Sequence, residues 1–357
     1  MLTQLQTFAR RLRQARLKEK LSMEMLSNLT GGLVSKQAIS KYEAAKMMPS
    51  STVLISFAKA LKEDLDYFYR PFNFDIHEME ISFRKKASVG KKDIEALKIQ
   101  IQNDVENYLE IEEILGLEKE SLNWHCEKEL SSTDDMVKEA KHIREQWNLG
   151  IDPISNVQEM LEANGIKVII TSGPAGFDGV SGIVNGEKPI MVLNDNVTMS
   201  ERCRFTALHE TAHLLFNHSL SKTLTPKEQE RLCDAFASEM LLPSEILENM
   251  FKGKSKISLN ELSFLQESYG ISIDAIMYKL KQMGYITEKR YKSFYIRKSQ
   301  NAQLKEQVER SRFPEKRVSR FEVMVYSALA QQLITTSKAA SMMGESIQAV
   351  RDNVNVI

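Results

Sequence analysis

The chain has 357 residues, 42% of them hydrophobic, enough for two or three domains with real cores. Its 48 basic and 48 acidic residues cancel, which excludes a uniformly polycationic or polyanionic protein. No apolar run reaches the length of a membrane span, no signal-peptide pattern opens the chain, and three scattered cysteines, Cys126, Cys203 and Cys233, do not make a disulfide framework. The expectation is a soluble protein of the reducing cytoplasm with no membrane partner.

The charge is segregated, however. Residues 1–70 hold twelve Lys and Arg against six Asp and Glu, a net of +6 that the rest of the chain offsets, and a basic end points to a polyanion partner. Helical periodicity there is short and interrupted: Leu5 to Leu17, Met23 to Leu29 after the capping residue Ser22, a Gly31-Gly32 turn, and Ser35 to Glu43. Short helices about a turn predict a helix-turn-helix.

Leu12-Arg13-Gln14-Ala15-Arg16, Leu21-Ser22, the stretch SKQAISKYE from Ser35 to Glu43, Pro49-Ser50 and Phe57-Ala58-Lys59-Ala60-Leu61 resemble the XRE/Cro-type helix-turn-helix family. The resemblance implies a five-helix DNA-binding domain over 1–70, double-stranded operator DNA as partner, and Ser35 to Ala44 as a recognition helix entering the major groove. Helical phase turns Ala38, Ile39 and Tyr42 inward and Ser35, Lys36, Gln37, Ser40 and Lys41 outward. Gln37 suits bidentate pairing with adenine, and Lys36 and Lys41 suit phosphate.

Residues 71–134 read as a helical linker. Phe72 and Phe74 are expected to pack on the end of the first domain, and Phe83-Arg84-Lys85-Lys86 precedes a long polar helix from Lys91 to Leu115. Its narrow stripe, Ile94-Leu97-Ile101-Val105-Tyr108-Ile111-Leu115, recurs at steps of three and four. Such a helix either pairs with a copy of itself, giving a homodimer suited to two operator half-sites, or packs against its own chain.

A third region, 135–250, opens the chemistry. Lys167 to Thr171, Gly179 to Val184 and Pro189 to Leu193 read as short strands, with Asn185-Gly186 as the turn between the last two. They predict a small sheet beside a helix that carries His209-Glu210-Thr211-Ala212-His213. Histidines at i and i+4 share a helix face and reach one cation, and the intervening Glu210 can take a proton from water, which is the H-E-x-x-H logic of a zinc peptidase. The positions after His213 that a metzincin fills with Gly and His are Phe216 and Ser219, so that class is excluded; His218 falls on another face and reads as a helix-end residue. A second helix, Glu230 through Met240 to its stop at Pro243, offers Glu230 as third ligand, with Asp234 one turn on to orient a ligating His; Glu228 is the alternative, less well phased with Asp234.

Arg204-Phe205-Thr206 leading into His209-Glu210-Thr211-Ala212-His213, then ERLCDAFASEMLLP from Glu230 to Pro243, resembles the ImmA/IrrE family of zinc metallopeptidases. Trp147 to Ile154 and Phe177-Asp178-Gly179 resemble the lead-in of the same family, whereas Met240 replaces a Leu and Cys233 an Ala of its pattern. The resemblance implies Zn2+ on His209, His213 and Glu230, Glu210 as catalytic base, and a repressor-type protein as substrate, either a separate regulator or this chain itself. It also implies regulation tied to stress or mobile elements.

Beyond Pro243 the chain again reads as helical, with amphipathic segments at Ile257 to Gly270, Ile273 to Met283 and Phe321 to Leu329 and no catalytic pattern through the C-terminal region 251–357. Ile334 to Met343 looks like the start of a second, cryptic helix-turn-helix, with structural packing the simpler role; Lys289-Arg290, Arg297-Lys298 and Lys316-Arg317 read as solvated basic spots. The fold expected is multidomain and mainly α, with an α+β metallopeptidase domain. Two functions follow: a DNA-binding regulator carrying a zinc endopeptidase, or a zinc-containing repressor or antitoxin whose peptidase-like domain senses or docks without routine proteolysis.

Overall fold

A computed structural model describes residues 2–72, 90–117, 124, 126–184, 186–197, 199–254, 256–313 and 319–354. The expected packing of Phe74, the basic spots Phe83 to Lys86 and Lys316-Arg317, and residue Asn185 of the predicted turn lie outside these. Among the described residues no helix is long and apolar enough to cross a membrane.

The N-terminal unit consists of α1 (Gln4–Lys18), α2 (Met23–Leu29), α3 (Lys36–Glu43), α4 (Ser51–Leu61) and a 3-10 turn at Leu65–Tyr69, so the fifth helix of the expected bundle is a single tight turn. Thr3, Ser22, Ser35 and Ser50 each cap the helix they precede by accepting an otherwise unpartnered backbone N–H. Between α2 and α3 the chain turns through Gly31 and Gly32, both left-handed at φ 68° and 78°, a conformation glycine adopts without a Cβ penalty. Phe8, Leu12, Leu26, Ile39, Phe57 and Phe68 make the core. Arg16 donates to both carboxylate oxygens of Glu43, at 2.6 and 2.8 Å, tying α1 to α3.

The long helix α5 (Lys91–Ile114) is the plank on which the molecule is assembled. Its stripe of Leu97, Ile101, Val105, Tyr108 and Ile111 is buried within the chain, against one face of the sheet and against C-terminal helices. Of the two expectations for that stripe, packing against its own chain is the one observed, and the stripe is not free for a second copy. On another side α5 receives α1 through the Arg11–Glu106 ion pair, 2.8 Å and fully enclosed, and through a Gln14–Gln102 hydrogen bond. Phe72 covers the same corner, beneath the guanidinium groups of Arg10 and Arg11.

Helices α6 (Thr133–Gln146) and α7 (Val157–Ala163) lead into a three-stranded sheet of β1 (Lys167–Thr171), β2 (Gly179–Val184) and β3 (Lys188–Asn194) in the order β1-β3-β2. β1 runs parallel to β3 and β2 antiparallel to it, leaving β1 and β2 as edges. Alternate residues serve two cores: Val168, Met191 and Leu193 face α8 (Ser200–Phe216) and α9 (Pro226–Leu241), whereas Ile169, Val180, Ile190 and Val192 face α5. The first of these cores continues through α10 (Ser244–Phe251), α11 (Leu259–Tyr269), α12 (Ile273–Gln282), α13 (Glu288–Gln300) and α14 (Ala302–Glu309). Lys298 on α13 is buried between Asp274 and Glu309, at 2.6 and 3.2 Å, so this basic residue is an internal tie and not the solvated spot expected. The chain closes with α15 (Arg320–Ala330), α16 (Thr336–Met343) and α17 (Ile347–Val354), which return to α5.

Candidate metal centre

α8 and α9 lie side by side beneath the sheet, and their facing turns bring three ligand-type side chains together. His209 Nε2 and His213 Nε2 are 3.1 Å apart, and each is 3.3 Å from a different oxygen of Glu230. Ligand atoms about 2.0–2.1 Å from a tetrahedral zinc ion stand roughly 3.3–3.4 Å from one another, so this triangle has the size of one face of such a site. Two imidazole nitrogens that close cannot both turn an N–H toward the other, and a cation between them resolves the conflict. Contact with His209, then with His213, holds the Glu230 carboxyl well below the usual carboxylate range, so it stays ionised.

The two histidines are held differently. Asp234 Oδ1 lies 2.8 Å from His209 Nδ1, so the ring keeps its proton on that side and turns a lone pair on Nε2 inward. His213 Nδ1 faces the Cys233 sulfur at 3.7 Å, a longer and weaker contact. Cys233 is fully buried; Cys203 instead donates to the Val197 carbonyl and stands apart from the triangle. His209 is 1% exposed but Glu230 is 43% exposed, so the centre opens to solvent on the α9 side.

Glu210 points the other way round α8, under the sheet. Ser181 on β2 donates to its Oε2 at 3.0 Å and lies 3.1 Å from its backbone oxygen, fixing the carboxylate on the residue that follows His209. Sequence reasoning did not single out Ser181, because a serine in a short strand carries no signal until the sheet is docked on the helix. Glu228 is spent elsewhere: its carboxylate accepts from the Thr225 N–H and hydroxyl in the capping box that starts α9, after Pro226 at the first position. His218 lies exposed beyond the end of α8, as expected of a helix-end residue.

The placement of α8 depends on polar ties at its N-terminal half, two of them buried. Arg204 donates to the Ile154 and Ser155 carbonyls at 2.5 and 3.4 Å and stacks on Phe313. Glu201 accepts from Gln266, Ser311 and the Arg312 backbone, at 2.6–2.9 Å. Arg202 binds both oxygens of Asp178 at the start of β2, which joins the helix to the strand that carries Ser181. These residues hold α8, which carries the two histidines, against its neighbours.

Two family models match the chain. Residues 12–68 match the one described as helix-turn-helix, and residues 161–281 match the one described as IrrE N-terminal-like domain, of the M78 peptidases. The chain joins an XRE-type helix-turn-helix to an ImmA/IrrE-type domain. The IrrE-like match contains β1 to β3, α8 and α9, and therefore the whole triangle; the helix-turn-helix match contains α2 to α4. No curated protein matches the chain. In the helix-turn-helix unit, Ser35 caps α3, and Lys36, Gln37, Ser40 and Lys41 are exposed along it, while Ile39 and Tyr42 are buried and Ala38 packs partly against the core.

Proposed function

We propose that this chain is a cytoplasmic, DNA-binding transcriptional regulator whose IrrE-like domain is a zinc-dependent endopeptidase acting on a repressor-type protein, in trans or on itself. The observation that carries the reading is the triangle of His209, His213 and Glu230 donor atoms at 3.1–3.3 Å, with Glu210 on the next residue of the same helix. Those three side chains would hold the ion, and Asp234 would keep His209 in the ligating tautomer. Zinc bound there supplies Lewis acidity toward a peptide carbonyl and toward water. Glu210, held by Ser181, receives the proton from the attacking water and returns it to the leaving amine. The β2 edge, which carries Gly179 and Gly182 beside α8, suits an extended substrate strand because its backbone can be approached closely.

For the DNA-binding half, Gln37 is the proposed base reader, with Ser35, Lys36, Ser40 and Lys41 on phosphate and groove edges. A homodimer on two half-sites would need a contact surface other than the α5 stripe, which is buried inside the chain. A second reading has one observation in its favour: Glu210 is buried and engaged by Ser181, which fits a zinc-containing repressor whose domain senses or docks. Wild type and Glu210→Gln, loaded with equal zinc, should be incubated alone and with helix-turn-helix repressors while fragments are followed by intact mass. Fragments from wild type only are expected. Intact substrates throughout, with operator binding retained, would replace the endopeptidase by the second reading.

A further inference from the structure

The densest positive charge in the chain lies outside the helix-turn-helix unit. From Met277 to Gln300, 24 residues hold seven Lys and Arg against one Glu, a net of +6 that equals the excess of residues 1–70 in about a third of the length. Two of the seven are used inside the fold: Lys279 is buried with Glu239, and Lys298 with Asp274 and Glu309. Lys281, Lys289, Arg290, Lys292 and Arg297 remain toward the surface, with Glu288 as the one acid of the segment.

The phase of α13 gathers these charges on one side. Phe294 and Lys298 are buried and Tyr291 and Tyr295 half-buried, which leaves Lys289, Lys292, Ser293, Ile296, Arg297 and Gln300 exposed at three- and four-residue spacing. No carboxylate interrupts that face. Among the described residues Lys289 and Arg297 have no ion pair, and Lys292 meets Glu288 only at 3.7 Å with both side chains more than half exposed, a contact of little strength in water. Helix stability does not account for the arrangement, because Lys289 and Arg290 occupy the first turn, where the helix dipole disfavours cations.

The chemistry of the face selects its partner. Protein–protein contacts are depleted of Lys, whereas Lys, Arg, Ser and Gln are the side chains that donate to phosphate oxygens. The neighbouring rings are not open platforms for unstacked bases: Lys281 Nζ lies 4.6 and 4.5 Å from the Tyr278 and Tyr291 centroids, and Tyr291 packs on Tyr295 at 4.9 Å. A nucleic acid whose bases stay paired and whose backbone is presented, a duplex, is what remains. From Lys289 to Arg297 is about 12 Å along the helix axis, over which one strand of duplex DNA carries about three or four phosphates.

We propose that the outer face of α13 binds the phosphate backbone of duplex DNA, a contact independent of base sequence and additional to the one made by α3. It rests on the DNA-binding half of the proposed function, since a duplex held by the helix-turn-helix unit is the polyanion at highest effective concentration for another face of the same chain. The basic residues of α13 are then a backbone clamp and not merely a solvated surface.

Fluorescence anisotropy of the full-length protein with a labelled duplex of arbitrary sequence, about 40 base pairs long, in about 50–200 mM potassium chloride, tests this. Lys289→Gln/Lys292→Gln/Arg297→Gln is expected to weaken binding about tenfold or more and to lower the slope of log affinity against log salt by about 2–3, and Lys36→Gln/Lys41→Gln in α3 to weaken it separately. Circular dichroism and melting temperature of both variants check that they fold. Full affinity and an unchanged slope in the folded α13 variant would overturn the proposal and leave the α3 contact standing; absence of binding by wild type would remove both. A loss in the α13 variant with none in the α3 variant would keep the α13 face and remove the helix-turn-helix from DNA binding. Displacement of the duplex by poly-L-glutamate as effectively as by unlabelled duplex of equal charge would put an acidic protein in place of DNA and overturn the proposal.

Discussion

His209 and His213 make an unequal pair, and their difference lies in one neighbour each. A carboxylate at 2.8 Å both orients an imidazole and raises its basicity, whereas a buried thiol at 3.7 Å does little of either. Asp234→Asn is accordingly expected to lower zinc affinity about 10- to 100-fold, and Cys233→Ala by less than about threefold, in competition titrations with a chromophoric chelator. Equal losses would mean that the thiol contact matters as much as the carboxylate. Away from the site, Glu162 on α7 is buried beside Gln158, and burial pushes its carboxyl up to about 7. An acid whose folded pKa is raised binds protons better folded than unfolded, so it lowers stability as pH rises from the unfolded value near 4.5 through about 7. Glu162→Gln should leave urea stability almost unchanged at pH 4 and raise it by about 2 kcal/mol at pH 8.

At the scale of elements, α8 was legible because its pattern is long and its histidines recur at one helical turn, while α9 announced itself by Glu230 and Asp234 in phase and by Pro243 after its end, although it starts at Pro226, four residues before the expected Glu230. All three strands were found near their observed bounds, since β-branched runs between glycines have few other solutions. Their order was not legible, because three short strands of similar composition pair equally well in several ways until α8 covers one face. α13 and α14 escaped notice as elements for a related reason: they are polar and buried on little of their surface, so their period is faint. The junction of α8 with α11 depends on a residue with no chemistry. Gly270 is left-handed at φ +61°, and a Cβ there would lie 2.5 Å from Arg204 Nε. Gly253, at φ +79°, has nothing within 4 Å. Gly253→Ala should cost about 1 kcal/mol of backbone strain, and Gly270→Ala about 1–3 kcal/mol more, read as the difference between their urea midpoints.

In the whole molecule, the helix-turn-helix unit is joined to the rest partly through a charge pair that water does not reach. Arg11 and Glu106 are 2.8 Å apart and essentially unexposed, and Arg11 also donates to the carbonyls of Arg70 and Pro71. Removing one partner strands the other in a low-dielectric setting, so Arg11→Met is expected to cost about 3–5 kcal/mol, with part of the loss restored in the double variant with Glu106→Leu. A double variant no more stable than Arg11→Met would show that the carbonyl contacts, and not the ion pair, carry the junction.

The amino-acid sequence by itself determined the properties that are periodic or local: a helix with two histidines one turn apart, a second helix with Glu230 and Asp234 in phase, and a basic, serine-capped helix-turn-helix with its polar face outward. These survive in any arrangement of the domains because they depend on the 3.6-residue repeat and on short capping contacts. Tertiary structure alone decided that α5's stripe is consumed within the chain, that Ser181 reaches Glu210 across 29 residues, and that Glu228 closes a cap. It also set α16 beside α5, where Ser337, Ala340 and Ser341 line a cavity. Each of these pairs residues far apart in the chain or chooses between two uses of one side chain, and that choice follows from which surfaces are left to be covered once the cores have formed.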